Sequence, residues 1–491
     1  MQKLSPTLNL RSSIFIVIGI VIGSGVFKKV AVMSATLKSP GLVLLCWGLA
    51  GVISLTGALC SSELACMFAN SGGEYFYFQK VYNRFFAFLW GWANFVVVQT
   101  AGMAALAYIF AESFNSVIPL PTPSVSTGNP IYFLVNNFSV KLIATLLILF
   151  LSYANYRGVK HAEKLNRFMT FALLAAAVAI IISGLSSHTG NIHNLTTPAS
   201  NSGNGLGGWP LIKSITIASL GAFWGYEGWN GIGMIGEEIK SPKRNIPLSL
   251  AFGMLTIISI YILLNLVYLY ILPIDTLIKI NDHPNQIAAQ EVMKVIWGKW
   301  GALFIAVLIM VTTFNATNGT ILTSARVYYA MARDNNFYRH AATVHPTYKT
   351  PSVSILLQGI WSVLLIWSGT FDQLTDMTIF SAFIFYGATA IGVMVMRKRD
   401  PLYPRPYKVI GYPFTPVIFC MCCLTLISIT LYNQPKEALS GLGLIALGIP
   451  FYWFWTKRKP VQNEAIIAVD QAISTQLASP QPLSNGEGLK N

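Results

Sequence analysis

The sequence predicts an all-α membrane protein of twelve transmembrane helices, two of them interrupted at mid-depth, and three observations carry that prediction. The first is composition: the 491 residues are 54% hydrophobic and 10% charged, with a mean hydropathy of +0.56, well outside the range of soluble globules. The second is spacing. Apolar runs of about 20 residues, the length that crosses hydrocarbon, begin near Ser13, Leu42, Phe85, Val140, Phe168, Ile212, Ile246, Gly301, Val353, Thr378, Thr415 and Gly441. The third is a pair of glycine-rich interruptions within such runs, I-G-I-V-I-G-S-G-V-F over 18–27 and G-A-F-W-G-Y-E-G-W-N-G over 221–231.

Taken in order, residues 1–12 are polar and lead straight into the first span, so no cleavable signal is predicted and the N-terminus is placed in the cytoplasm. Residues 13–185 supply a first set of five spans and 211–396 a second set, each opened by an interrupted helix. The loop between them, 186–210, and the loop 115–139 are rich in Gly, Pro, Ser and Asn and read as flexible caps. Residues 397–459 add two further helices, and 460–491 form a polar tail expected to be disordered and cytoplasmic. Two interrupted segments at corresponding places in two halves are the sequence mark of an inverted-repeat transporter.

The formal charge of +15 invites a nucleic-acid partner, but its distribution explains it otherwise. Most of the 33 Lys and Arg fall in segments assigned to one side, at Lys80 and Arg84, 157–167, 240–244, 326–349, 397–408 and 457–459. That is the bias of the positive-inside rule. The six cysteines lie within spans, so no disulfide framework is implied, and Cys420-x-Cys422-Cys423 reads as packing. No metal, cofactor, catalytic triad or paired-carboxylate site is predicted. Gly19-x-x-x-Gly23-x-Gly25 lacks the strand–turn–helix setting of a phosphate loop.

The interruptions have a chemistry of their own. A half-helix N-terminus presents unpaired N–H groups and a partial positive charge, and a C-terminus presents unpaired carbonyls. The amides of Ser24, Gly25 and Val26 suit a carboxylate, and the carbonyls near Val21, Trp224, Gly225 and Glu227 suit an ammonium, with Gly23, Gly228 and Asn230 also expected in the substrate site. Backbone alone thus points to an α-amino acid. The competing reading is that the glycines only allow close helix packing.

Ile22-Gly23-Ser24-Gly25-Val26-Phe27, Ser39-Pro40-Gly41, Gly57-Ala58-Leu59-Cys60 with Glu63-Leu64, Ser71-Gly72-Gly73-Glu74-Tyr75, Gly228-Trp229-Asn230, Glu237-Glu238-Ile239 with Pro242-Lys243-Arg244-Asn245-Ile246-Pro247, and Arg405-Pro406-Tyr407-Lys408 closely resemble the L-type amino acid transporter family. That family lies in the amino acid, polyamine and organocation superfamily. The resemblance implies a LeuT-like five-plus-five inverted repeat with broken helices 1 and 6, alternating access, amino acid transport often as exchange, and residence in the plasma membrane. It also implies Trp224 as an occluding gate over the substrate, against a packing role for the same indole. A polyamine or amine transporter, or a transporter-like amino acid sensor, is the alternative; an enzyme is not expected.

Three departures qualify the resemblance. The loop 115–139 has no cysteine for the family's disulfide to a glycoprotein heavy chain, so none is expected here. Leu173 stands where many members hold a helix-5 lysine whose ammonium replaces sodium; a sodium ion near Thr312 and Asn315 is one substitute, and plain interhelical bonding is the other reading of those two residues. Glu227 stands where neutral-substrate members have Gly and a cystine and dibasic branch has Asp. An acid at mid-depth is costly and marks function. Three roles are open to it, in this order: an ion pair with Lys28 or Lys29, selection of a cationic side chain, and proton acceptance. Glu237 and Glu238, with Lys240, Lys243, Arg244, Arg84, Arg157 and Arg333, are expected to form a charged inner gate or merely a solvated face.

Overall fold

The structure is a computed structural model and describes residues 7–68, 72–121, 136–158, 162–200, 207–283 and 286–456. The tail 460–491 lies outside the described residues. The chain enters helix α1 (Leu10–Val21) at Asn9, whose side chain accepts the Ser12 N–H at 2.9 Å, an N-cap that fixes the start. The helix stops when Ile22 leaves helical geometry (ψ 86°), and α2 (Gly25–Leu37) sets off at 42° to it. The first interruption is therefore a real break.

Next come α3 (Pro40–Met67), a short α4 (Glu74–Val81) and α5 (Arg84–Val117), which carries one π-helical stretch at Asn94–Val98. Then follow α6 (Phe138–Arg157) and α7 (Ala162–Leu185). The second half opens with α8 (Gly208–Tyr226), broken from the four-residue α9 (Gly231–Met234). It continues through α10 (Pro242–Ile271), α11 (Ile274–Asn281), α12 (Ala288–Arg333, kinked at Gly298), α13 (Ser352–Ser368) and α14 (Phe371–Arg399). Finally α15 (Phe414–Asn433) and α16 (Pro435–Thr456) close the chain.

Each predicted apolar run meets a helix. Among the described residues nine helices are long and apolar enough to cross a membrane, ten with the α1–α2 pair; α13 is a shorter apolar helix. The short helices α4 and α11 were not foreseen, because neither is long enough to leave a hydropathy signal.

Burial sorts the helices. The apolar window of α5 is 89% buried, against 28% for α7 and 17% for α16, so α5 is central and the other two are peripheral. Large apolar side chains such as Phe168, Phe171, Ile182, Leu424 and Phe454 face outward, as lipid-facing positions do. The centre is aromatic, with Trp47, Trp90, Tyr226, Tyr261, Tyr328 and Tyr386 fully buried.

One loop expectation needs correction. The described part of 186–210 is tied down: the Asn191 and Ala199 N–H groups donate to the carbonyls of Tyr270 and Lys38 at 3.0 and 2.9 Å, and Ser200 Oγ donates to Asp275 at 2.6 Å. Polar composition alone does not reveal such anchoring. At the other end, the Thr7 and Leu8 N–H groups donate to the Glu238 carbonyl, and the Lys240 N–H donates to that of Leu8 at 2.8 Å. This pairing defines an N-terminal face of the bundle, opposite the face that carries Lys38 and Asp372.

Candidate substrate site at the two helix breaks

The two breaks face each other. A Cβ on Gly25 would overlap the Cα of Gly225, so α2 approaches the α8 backbone this closely only because position 25 is glycine, while a Cβ on Gly225 would run into the Trp47 ring on its other side. On the other strand of the crossing, Gly228 adopts φ +110°, a left-handed conformation that glycine accepts without strain. It turns the chain after Glu227, whose ψ of 147° ends α8.

Between the breaks lies a cavity of about 40 Å³ whose wall includes Val21, Gly23, Ser24, Trp224, Glu227, Gly228 and Asn230. These are seven of the ten residues expected to bind substrate. Gly25, Val26 and Gly225 are absent from the wall: Gly25 and Gly225 make the close crossing behind it, and Val26 is buried in the core. Ile20 of α1, Val98, Gln99, Gly102 and Leu106 of α5, Gly231 of α9, Thr320 and Thr323 of α12, and Thr378 of α14 complete the lining. Both amide atoms of Asn230 and the Thr378 hydroxyl are buried with no protein partner, a costly state unless a ligand or water meets them.

Trp224 Nε1 donates to Ser24 Oγ at 3.1 Å, which ties the two breaks together through the residue expected to gate them. Its indole stands edge-on to Phe371, with centroids 6.2 Å apart. The Tyr261 hydroxyl of α10 is placed to donate to the Gly225 carbonyl (2.8 Å) or the Val21 carbonyl (3.2 Å). One hydroxyl has one proton, and the Val21 carbonyl also accepts the Gly23 N–H at 2.9 Å, so Tyr261 serves the Gly225 carbonyl at the shorter distance. In the sequence Tyr261 is indistinguishable from a packing aromatic.

The leading expectation for Glu227 is corrected. Neither lysine reaches it: Lys28 Nζ pairs with Glu112 at 2.6 Å, and Lys29 Nζ pairs with Asp372 at 2.7 Å and lies 3.9 Å from Asp376. Lys29 also donates to Thr375 Oγ1 at 2.9 Å. Both ammonium groups stand 4.8 Å from the Phe371 ring centroid. Phe371 thus separates the Trp224 indole from two ion pairs, and α2, α5 and α14 are pinned together on the Asp372 face. Glu227 instead accepts a hydrogen bond from the Tyr386 hydroxyl at 2.5 Å.

Thr312 Oγ1 reaches the Gly23 carbonyl at 3.4 Å and donates to its own Ile309 carbonyl at 3.0 Å, and Asn315 Nδ2 reaches the Gly19 carbonyl at 3.5 Å. Protein donors therefore already face the carbonyls that a sodium ion would need. Leu173 is buried on α7, which packs against α1 and α12, and its side chain supplies no charge there.

On the N-terminal face the expected charged gate is narrower than foreseen. Glu238 pairs with Arg326 at 2.7 Å, an arginine not among the expected members, whereas Glu237 enters none of the ion pairs seen among the described residues. Arg84 donates to Asn336 and to the Asp334 carbonyl. The buried Glu63 is held bidentately by Arg397 at 2.9 and 2.6 Å and accepts the Val409 N–H. A signal for the missed partners was present: two adjacent lysines inside an apolar run demand carboxylates, and Glu112, Asp372 and Asp376 are acids in or beside other apolar runs.

Comparison with known proteins agrees with the motifs. The chain is 28% identical over 468 residues to the b(0,+)-type amino acid transporter 1 of Mus musculus, covering 93% of this chain and 89% of that one. It is 27% identical over 458 residues to the serine/threonine exchanger SteT of Bacillus subtilis, covering 93% and 98%. It is 25% identical over 471 residues to the large neutral amino acids transporter small subunit 2 of Mus musculus, covering 94% and 84%. The family model described as amino acid permease matches residues 8–454, and the chain belongs to the amino acid permease family.

Proposed function

We propose that this protein is a secondary amino acid transporter, working as an exchanger or permease by alternating access. It binds the α-carboxylate at the start of α2 and the α-amino group at the ends of α1 and α8. The observation that carries the reading is the facing of the two breaks across one cavity whose wall holds Ser24, Trp224 and Glu227. Helix ends of opposite polarity on one cavity suit a zwitterion, and the unpartnered Asn230 and Thr378 groups offer polar contacts to it.

The twelve predicted helices are read as a five-plus-five LeuT-like inverted repeat with two additional helices, in the domain order given above. The N-terminal face, with both termini, is read as cytoplasmic on the distribution of Lys and Arg, and the membrane as the plasma membrane. The cavity holds only a few waters, since each occupies ~10–15 Å³ on this measure. An amino acid therefore enters with movement of the wall, and Trp224 is the side chain best placed to move. The Lys28–Glu112 and Lys29–Asp372 pairs close the Asp372 face, and Glu238–Arg326 with the Leu8–Ile239 bridge closes the other. Transport is read as independent of sodium and of a disulfide-linked heavy chain. Counterflow into proteoliposomes loaded with mixed amino acids, using labelled arginine, leucine and alanine in sodium-free buffer, tests the reading. Exchange of at least one of them supports it, and exchange of none sinks it.

A further inference from the structure

A second cavity, of about 630 Å³ against about 40 Å³ between the breaks, lies between α13, α14 and α16. Its body is apolar, walled by Trp361 and Leu365 of α13, Leu374 and Met377 of α14, and Leu444 and Leu447 of α16. Leu364 and Leu447 on its rim are exposed, so it opens sideways, towards the bilayer. Its mouth is polar and lies on the Asp372 face, where Ser368 ends α13, Gln373 stands in the first turn of α14, and Lys436, Glu437 and Ser440 stand near the start of α16. From that mouth the crevice descends along α13 to Trp361 and along α16 to Leu447, a depth of ~10–18 Å at the helical rise per residue.

That path leads from a headgroup layer into hydrocarbon, and it decides what fills the space. The Trp361 indole N–H already donates to the Val96 carbonyl at 2.8 Å, and a buried water needs several polar partners, so the apolar body suits an acyl chain. At the mouth, Lys436 and Glu437 carry opposite charges, and neither enters an ion pair seen among the described residues. Lys436 and Ser440 are one turn apart on one face of α16 and suit a phosphate. The Glu437 carboxylate accepts hydrogen bonds, which a primary ammonium donates and a quaternary choline does not. Choline is held by aromatic cages, and among the described residues the aromatic on this wall is Trp361, far below the mouth.

We propose that this crevice binds a membrane phospholipid of the phosphatidylethanolamine type, with an acyl chain in the apolar body, the phosphate at Lys436 and Ser440, and the ammonium at Glu437. Its position gives the lipid leverage on transport. Met377 walls the crevice and the next residue, Thr378, walls the cavity between the breaks, so α14 is the partition between lipid and substrate. Gln434, just before α16, donates to Asp376 at 3.1 Å, and Asp376 is the more distant carboxylate beside Lys29. A seated lipid braces α16 against α14 next to that ion pair. The effect on exchange, unlike the site itself, rests on the proposed transport function.

The test offers delipidated full-length protein equal amounts of phosphatidylethanolamine and phosphatidylcholine with the same acyl chains, and reads retained lipid by native mass spectrometry. Counterflow is then compared in phosphatidylcholine liposomes with and without phosphatidylethanolamine. Expected are retention of the ethanolamine lipid with about tenfold preference, as a charge-assisted hydrogen bond supplies, and several-fold faster counterflow in its presence. Glu437→Gln should lose the preference. A Cβ on Gly443, on the crevice wall, would meet nothing within 4 Å, so Gly443→Phe should fill the crevice and lose the retained lipid while keeping the rate seen in phosphatidylcholine alone. Equal retention of both lipids by the wild type, or a preference unchanged in Glu437→Gln, overturns the proposal, as does retention of the lipid in Gly443→Phe. Equal stimulation of wild type and variants is a bilayer effect and overturns the brace. If Gly443→Phe does not purify as a monodisperse protein, Glu437→Gln decides. Selective retention without counterflow in any membrane leaves the lipid site standing and defeats the transport reading.

Discussion

The ion pair between Lys29 and Asp372 predicts an asymmetry that a simple count of salt bridges does not. Lys29 is 1% exposed, whereas the Asp372 side chain is 51% exposed. In Asp372→Asn the ammonium stays buried, with Asp376 at 3.9 Å and the Thr375 hydroxyl as its remaining partners. Breaking a buried pair in this way costs ~3–5 kcal/mol, and the distant Asp376 places the expected loss at the lower end. In Lys29→Met the apolar stem is preserved, the Asp372 carboxylate turns to water, and the less exposed Asp376 loses a distant cation but keeps its hydrogen bond from Gln434, so the cost falls below that of Asp372→Asn, towards the ~0–1 kcal/mol of an exposed pair. Thermal unfolding of the purified variants in detergent, followed by loss of the monodisperse peak, should rank wild type and Lys29→Met close together and Asp372→Asn well below both. A Lys29→Met protein that melts as early as Asp372→Asn would refute the argument that burial of the ammonium sets the cost.

Other positions give independent checks. Tyr261→Phe removes the hydroxyl that donates to the Gly225 carbonyl at 2.8 Å. It should weaken amino acid binding and lower the melting temperature, with a loss of ~1–3 kcal/mol for the buried acceptor left unmet, read by ligand-induced thermal shift. Gly25→Ala forces α2 away from α8 and should abolish counterflow while the protein still reaches the membrane; retained exchange would show that the close crossing is dispensable. Arg326→Met and Glu238→Gln should each raise exposure of an engineered cysteine at the N-terminal face, and the double variant should do no more than either alone, because both act on one bond.

The breaks were legible because glycine clusters inside hydrocarbon have few structural uses, and the structure puts Val21, Ser24, Trp224 and Glu227 on one wall as their spacing suggested. The charge partners were legible in kind, since two lysines in an apolar run call for acids, but not in identity. Lys28 and Glu112 are 84 residues apart and Lys29 and Asp372 are 343 apart, and pattern within a span carries no information about contacts at that range. The same limit misassigned Glu227: proximity of the two breaks made a lysine partner plausible, but both lysines sit on α2 beyond Phe371, on the side away from the cavity. Tyr261, Tyr386 and Arg326 were invisible for a different reason. An aromatic in an apolar run or an arginine at a helix end is ordinary, and only packing reveals which carbonyl or carboxylate it reaches. The anchoring of loop 186–200 was hidden likewise, since its partners are backbone carbonyls of Tyr270 and Lys38 and the Asp275 carboxylate, all distant in sequence.

The central claim is that substrate is held by its α-carboxylate and α-amino groups on the exposed backbone of the two breaks. Competition in the counterflow assay addresses it directly, by comparing the transported amino acid with its decarboxylated amine and its deaminated acid. Each charge-assisted hydrogen bond contributes ~1.5–3 kcal/mol, so both analogues should compete more than tenfold more weakly than the parent. An amine or acid that competes as well as the amino acid would contradict the account.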